Sequence, residues 1–317
     1  MRALVAGAAG FLGSHLCDRL RGNGADVIGL DNFYTGKHAN IAYLSRDPRF
    51  QWVEHDITRP IDGIVTSPID IIFNLACPAS PRAYQHDPLF TLETNYVGMR
   101  NLLELARENK AAILQASTSE VYGDPTIHPQ VEGYWGNVNC FGVRSCYEEG
   151  KRIAETLMLE YARRYSVQIK IVRIFNTYGP RMDLKDGRII SSFIAQALRG
   201  EPITVFGDGS QTRSFCYVDD LVDGLMRMAE SEPSFTGPVN LGNPHERSVL
   251  ETARTIKEMT GSASVIVFRD LPSDDPKRRK PDISLAEARL GWRPMVSFED
   301  GVARTIEFFK RVVGEHA

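Results

Sequence analysis

Gly7-Ala-Ala-Gly10-Phe-Leu-Gly13 follows directly on the apolar run Ala3–Ala6 and leads directly into an amphipathic stretch, Phe11–Arg21. Strand, glycine turn and helix in that order make an anion site. The glycines let the chain turn tightly, and the free N–H groups and dipole of the helix N-terminus face the charge. The spacing is G-x-x-G-x-x-G. As bare text it is a weak pattern, and it gains force from an acid at the end of the next strand. That acid is Asp31, closing Asp26-Val-Ile-Gly-Leu30. A carboxylate there accepts hydrogen bonds from ribose hydroxyls and repels a 2′-phosphate, so the cofactor predicted is NAD rather than NADP. No arginine adjoins it; Asn32 and Phe33 come next. The plainer reading of Asp31 is a polar residue closing a strand. Asp56 ends the following strand, where it could meet an adenine amino group or simply cap the strand.

Outward from this turn, short apolar runs alternate with helical patterns. Strands are expected at Ala3–Ala6, Asp26–Leu30, Gln51–Glu54, Ile69–Asn74, Ala112–Ala116 and Gln168–Arg173. Helices are expected at Phe11–Arg21, Pro88–Glu108 and Tyr147–Arg164. The pattern predicts an α/β fold with a doubly wound parallel sheet. Ile69–Ala76 is apolar on both faces, as a central parallel strand should be. After about residue 175 glycine and proline become denser. Shorter helical patterns appear at Ile190–Leu198, Val218–Ala229, Val249–Met259 and Phe298–Val312. Residues 1–175 therefore read as a Rossmann-type NAD-binding domain, with some later segments returning to it. Residues 176–317 read mainly as a smaller substrate-binding lobe. The charged stretch Asp274–Asp282 has no periodicity and is expected to be a loop; taken alone, such a run is most simply solvated surface.

The 317 residues carry 37 Lys plus Arg against 40 Asp plus Glu, a net charge of −3. That balance excludes the basic surface of a general nucleic-acid binder. No apolar run approaches the ~18 residues that cross a bilayer. The five cysteines, Cys17, Cys77, Cys140, Cys146 and Cys216, are odd in number and form no C-x-x-C. A disulfide framework and a zinc ribbon are both disfavoured, no His/Cys/Asp cluster suggests a metal, and a reducing cytoplasm fits best. The apolar core of the N-terminus is too short for a signal peptide.

Of 11 tyrosines, only Tyr147 has a lysine four residues on, Lys151. On a helix the two share one face. A free tyrosine, with a pKa near ~10, is a poor base at neutral pH. A nearby ammonium and the positive nicotinamide ring of the bound cofactor are expected to favour the phenolate and lower that value, letting Tyr147 take the proton of an alcohol as hydride leaves its carbon. One strand–helix unit earlier, Ala116-Ser-Thr-Ser-Glu120 presents Thr118 and Glu120 to one side of an extended backbone. A threonine hydroxyl there can hold the same alcohol, or merely cap the strand.

With these residues in place the chain resembles the extended short-chain dehydrogenase/reductases, and within them the UDP-glucuronate decarboxylase (UDP-xylose synthase) family. The matching stretches run almost end to end: GAAGFLGSHL (7–16), DNFYTGK (31–37), ACPASP (76–81), TNYVGMRNLLELA (94–106), STSEVYGDP (117–125), HPQVEGYWGNVN (128–139), CYEEGKRIAETL (146–157), RIFNTYGPRM (173–182), GDGSQTRSFCYVDDLVDGL (207–225) and DDPKRRKPDI (274–283). The glycine turn and Y-x-x-x-K place only the superfamily; ACPASP, STSEVYG, YWGNVN and RRKPDI are far narrower.

The resemblance implies oxidation of the glucuronate ring at C4 by NAD, loss of CO2 from the resulting β-keto acid, and reduction to UDP-xylose. Catalysis is carried to Thr118, Glu120, Tyr147, Lys151 and Arg279, so the charged stretch becomes part of the site. NAD contacts are carried to Gly7, Gly10, Phe11 and Leu12 in the glycine turn, and to Asp31, Asn32, Tyr34, Thr35 and Gly36 after the second strand. They continue at Asp56 and Ile57, Leu75 and Ala76, and at Thr94, Ala116, Tyr147 and Lys151. Sugar contacts fall on Ala79, Tyr84, Thr118, Ser119, Arg144 and Arg279. UDP contacts fall on Asn176, Gln211 and Arg213, and Arg188 falls near substrate or cofactor. The family also implies a homodimer through the paired helices Pro88–Glu108 and Tyr147–Arg164.

A 4,6-dehydratase would carry an acid where Ser119 stands. Two departures flank the sugar pocket: Cys140-Phe-Gly-Val143 replaces the usual Pro-Ile-Gly-Pro, and Glu148 stands where Asp is common. A UDP-glucuronate 4-epimerase, or a non-catalytic NAD-binding protein of this fold, therefore stays open at this point.

Overall fold

Parallel pairing throughout one sheet decides where every loop of this molecule can bind. A computed structural model describes residues 1–271 and 278–314. The chain opens with β1 (Arg2–Ala6), α1 (Phe11–Gly22), β2 (Asp26–Asp31), β3 (Phe50–Glu54) and β4 (Ile71–Asn74). Two short helices, α2 (Pro81–His86) and α3 (Pro88–Glu93), lead into α4 (Met99–Asn109), β5 (Ala112–Thr118), α5 (Ser145–Tyr165) and β6 (Ile169–Ile174). The rest runs β7 (Thr177–Tyr178), α6 (Ile189–Arg199), β8 (Ile203–Phe206), β9 (Thr212–Ser214), β10 (Cys216–Tyr217) and α7 (Val218–Glu230). It ends with β11 (Val239–Leu241), β12 (Glu246–Ser248), α8 (Val249–Thr260), β13 (Ile266–Arg269), β14 (Arg278–Arg279), α9 (Ser284–Leu290) and α10 (Phe298–Gly314).

The main sheet has seven strands in the order β11-β6-β5-β4-β1-β2-β3, and each neighbouring pair is parallel. Side chains alternate across it with a period of two. Ala3 and Val5 pack with Leu16, Cys17 and Leu20 of α1 on one face. Leu4 and Ala6 pack with Leu102, Leu103 and Ala106 of α4 on the other. Both faces are covered, as a parallel sheet requires. Each such fully buried aliphatic side chain contributes about 1.5–3 kcal/mol relative to exposure.

Three details depart from the expected pattern. Pro88–Glu108 is not one uniform α-helix, because Thr94–Gly98 forms a π-turn between α3 and α4. There Asn95 turns inward, donating to Thr91 O at 2.8 Å and Cys77 Sγ at 3.1 Å. Gly150 of α5 rides over it; a Cβ at Gly150 would lie 3.0 Å from Asn95 Nδ2. Beyond residue 175 lie strands of two to four residues, too short to show a period: β7 with β10, β8 with β13, and β9 between β12 and β14. Lastly, the charged stretch is not wholly a loop. Residues 274–277 fall outside the described residues, whereas Arg278–Arg279 pairs in parallel with β9, setting Arg279 opposite Arg213.

Candidate active site

The C-terminal ends of β1 to β6 meet along one edge of the sheet, the edge where open α/β sheets bind ligands. At its centre the turn 7–10 leads into α1. Gly7 has φ +83°, and a Cβ there would lie 2.7 Å from the Leu75 carbonyl carbon and 2.8 Å from Ala76 N. A Cβ on Gly13 would fall 2.0 Å from Gly7 O. Only glycine permits either approach. No side chain caps α1 at Gly10, so the first-turn N–H groups, those of Phe11 and Leu12 among them, have no intrahelical acceptor.

Asp31 does more than end a strand. Its Oδ2 accepts Ala9 N at 2.9 Å and its Oδ1 accepts Phe33 N at 2.9 Å, tying the glycine turn to the loop after β2. Burial raises its proton affinity, and the Phe33 and Ala9 N–H groups oppose that rise. A Cβ on Gly36 would come within 2.9 Å of both carboxylate oxygens, so glycine there keeps the carboxylate approachable. Tyr34 and Thr35 are exposed beside it. Asp56 accepts Thr58 N at 2.9 Å and Asn32 Nδ2 at 3.1 Å, and buried Ile57 presses on Gly98 of the π-turn. Thr94 opens that turn and donates to Phe90 O at 2.8 Å. An uncapped helix terminus, glycine packing and a carboxylate at the second strand fit a dinucleotide.

Tyr147 lies in the first turns of α5, 6% exposed, with its ring stacked on Tyr84 at 5.0 Å and 5°. Thr118 acts on the Tyr147 hydroxyl to lower its proton affinity, and Thr118 Oγ1 accepts Glu120 N at 3.2 Å. Lys151 Nζ donates to Ala116 O at 2.9 Å and stands 5.9 Å from the Tyr147 ring centre. The expected lowering of the Tyr147 pKa is not found in the protein alone. Burial raises it, Cys77 adds to the rise, and Thr118 and Arg188 only partly oppose it. Desolvation of the phenolate outweighs the distant ammonium.

Beside this group runs a line of four buried charges. Glu120 Oε1 accepts Arg279 Nη1 at 2.6 Å, and its Oε2 accepts Arg144 Nη2. Arg144 Nε reaches Glu148 Oε1 at 3.3 Å. All four side chains are at most 12% exposed. Burial would raise the Glu120 pKa, but Arg279 and Arg144 overcome it and hold the carboxyl well below its usual range. Glu148 moves the other way, up to about 7, because of burial and the Glu120 charge. Glu120 is thus the carboxylate that the two guanidinium groups hold ionised, while Glu148 is the one readier to take up a proton. Arg279 Nη2 and Tyr84 Oη are buried and have no hydrogen-bond partner among the described residues. Both have hydrogen-bonding capacity that no side chain or backbone group uses among the described residues.

Ser119 is buried directly after Thr118, and Ala79 is exposed ahead of α2. Arg188 is held by Asp186, Nη2 to Oδ2 at 2.8 Å, with its charge acting on Tyr147 and Glu120. Arg213 is buried beside Arg279 across the β9–β14 pairing. Asn176 and Gln211 stand outside the charge line: the Asn176 carbonyl accepts Cys216 N at 2.9 Å, and Gln211 donates to Phe206 O at 2.6 Å. Sequence reasoning places Glu148 only as a departure flanking the sugar pocket, not on the charge line, and does not reach Cys77. The signal for Glu148 is its i,i+4 spacing from Arg144; Cys77 gives none.

The chain is 52% identical over 317 residues to UDP-glucuronic acid decarboxylase 5 of Arabidopsis thaliana, covering 100% of this chain and 91% of that one. It is 48% identical to UDP-glucuronic acid decarboxylase 1 of Xenopus tropicalis, covering 100% and 74%. Among solved structures, UDP-glucuronic acid 4-epimerase of Bacillus cereus with UDP-glucuronic acid and NAD superposes at a TM-score of 0.90, with 30% identity over 98% of this chain and 100% of that chain. UDP-glucose 4-epimerase of Thermotoga maritima with UDP-glucose gives 0.91 and 29%, over 99% and 100%. The model of one family matches residues 3–242, spanning the glycine turn, Asp31, Thr118, Tyr147 and Lys151. The chain belongs to the NAD dependent epimerase/dehydratase family.

Proposed function

We propose that this enzyme converts UDP-glucuronate to UDP-xylose and CO2 through a 4-keto intermediate, with NAD recycled. The observation that carries it is the charge line beside Tyr147 and Thr118, with its ionised carboxylate between two guanidinium groups and one buried donor left open. A 4-epimerase needs no carboxylate such as Glu120, since its ketone only turns over and is reduced from the other face. The relatives of about half identity over the full chain carry the decarboxylase name, whereas the epimerase structures are 30% identical or less.

When bound, NAD supplies the hydride acceptor for C4 and returns the hydride at the end. Gly7, Gly10, Phe11 and Leu12 would hold its pyrophosphate, Asp31 its adenosine ribose, and Lys151 the ribose next to the reacting ring. As the phenolate, which the positive nicotinamide ring and Lys151 would favour once NAD is bound, Tyr147 Oη takes the C4 hydroxyl proton while Thr118 holds the same oxygen. The C4 ketone lies β to the C5 carboxylate, so loss of CO2 leaves its electron pair on the C4 oxygen. The hydroxyls of Tyr147 and Thr118 stabilise that oxyanion. Arg279 and Arg144 orient Glu120 and the sugar, and C5 then takes up a proton. Arg213, Asn176 and Gln211 engage UDP; guanidinium groups suit its two phosphate charges.

The test is product analysis with carboxyl-labelled UDP-glucuronate. Labelled CO2 and a UDP-pentose, with no net NADH, are expected. UDP-galacturonate without labelled CO2 would replace this reading with the 4-epimerase.

The reading extends to a cytoplasmic homodimer. Leu89, Leu92 and Tyr96 on α3 and the π-turn, and Ile153 and Tyr165 on α5, are exposed on helices that pack together. Two copies of that face would form a four-helix bundle. Light scattering should give twice 35.4 kDa; a single-chain mass at micromolar concentration would rule the dimer out.

A further inference from the structure

We propose that Glu148 is a positioning residue that takes up one proton when a carboxylate-bearing sugar nucleotide enters the pocket, keeping the buried charge line balanced. The inference rests on the decarboxylase reading, which supplies the substrate carboxylate.

The line Glu148–Arg144–Glu120–Arg279 holds two carboxylates and two guanidinium groups. It is neutral when all are ionised. The open donor, Arg279 Nη2, marks where an acceptor enters. A substrate carboxylate there adds a third negative charge where no side chain of the line is more than 12% exposed. An uncompensated buried charge costs several kcal/mol, so one of the three carboxylates must be neutralised. The substrate's own must stay ionised to leave as CO2. Glu120 is clamped by two guanidinium groups. Glu148 has one contact, 3.3 Å long, to an Arg144 that it shares with Glu120. It is the most weakly held of the three.

The other groups facing Glu148 do not answer near neutrality. Arg144 on its own helix and Arg279 on β14 stay charged. Cys146 beside it and Tyr84 on α2 are pushed up by burial and stay neutral. Glu120 is held ionised. Burial and the Glu120 charge have already raised the proton affinity of Glu148. Protonation of Glu148 leaves Arg144 wholly to Glu120 and the sugar. Loss of CO2 removes the third carboxylate, and Glu148 ionises again at the stage in which C5 gains a proton, so charge and protons balance over the cycle.

The test is calorimetric binding to the NAD-loaded protein with Tyr147→Phe in place to prevent turnover. UDP-glucuronate is compared with UDP-glucose, which carries an alcohol in place of the carboxylate, in buffers of different ionisation enthalpy. At a pH of about 8, UDP-glucuronate should bind with uptake of about one proton and UDP-glucose with almost none, and UDP-glucuronate affinity should fall up to about tenfold per pH unit above neutrality. Adding Glu148→Gln should abolish the uptake and flatten the profile; Glu148→Asp should restore both. Uptake that persists in Glu148→Gln, or that is equal for the two ligands, overturns the proposal. If Glu148→Gln does not fold, the two-ligand comparison decides alone. Failure of the decarboxylase reading would look different: no CO2 from the wild type, whatever the proton count.

Discussion

Two buried charge groups flank the end of β5, and they are built on opposite terms. In one, Arg173 is bidentate to Glu155 at 2.7 and 3.0 Å, and its Nη1 donates to Tyr122 Oη at 3.1 Å and Glu132 O at 3.0 Å. Ser117 Oγ adds a 2.5 Å bond to the same Glu155. Its guanidinium is engaged at all three nitrogens. In the other, three residues along the chain at Glu120, one guanidinium serves two carboxylates and another keeps a buried nitrogen open. A buried polar group without a partner costs about 1–3 kcal/mol, and a fold keeps such a defect where something else benefits. The saturated group ties the strand end to its neighbours; the unsaturated one is the group proposed to receive the substrate carboxylate.

That contrast can be broken by substitution. Tyr147→Phe, next to the open group, should slow C4 oxidation by about 10²–10⁴-fold with no change in Tm, seen by single-turnover absorbance and melting. Glu120→Gln should lower CO2 release by about 10²-fold while C4 oxidation persists, so that reduced cofactor builds up on the protein. If both half-reactions fall together, Glu120 serves oxidation as well. In the closed group, Arg173→Met leaves Glu155 buried and unpaired, and should cost about 3–5 kcal/mol of stability in denaturant melts. Activity per folded molecule should hardly move; a large fall there would make the two groups one network. The smallest effect is expected at the cofactor end. Asp31→Asn keeps the size and loses the charge, and should weaken NAD binding by about tenfold, ~1.4 kcal/mol, in equilibrium titration.

The cofactor end is legible in the sequence because its parts are local. Gly7, Gly10 and Gly13 lie within one turn, Asp31 closes the next strand, and Tyr147 and Lys151 are one helical turn apart. The charge line is legible only through family resemblance, since Glu120 and Arg279 are 159 residues apart. Strand β14 carries no periodicity that could announce it. Spacing reveals the ammonium near Tyr147, but the burial that raises its pKa in the protein without NAD has no spacing. Glu148 shows both limits, with a partner visible at i−4 and a proton affinity set by Glu120 and burial across the pocket.

The parallel pairing of Arg278–Arg279 with β9 has an evolutionary reading. The epimerase structures share nearly the same backbone, and the reaction proposed for this chain parts from theirs in the step after oxidation. The residues proposed to hold NAD and take the first proton sit on the long strands and helices of the main sheet, where change is costly. The arginine proposed to steer the carboxylate arrives on a strand two residues long. A lineage could exchange that short segment and inherit a working redox centre unchanged. One frame can then host new chemistries by trading a few residues at its rim.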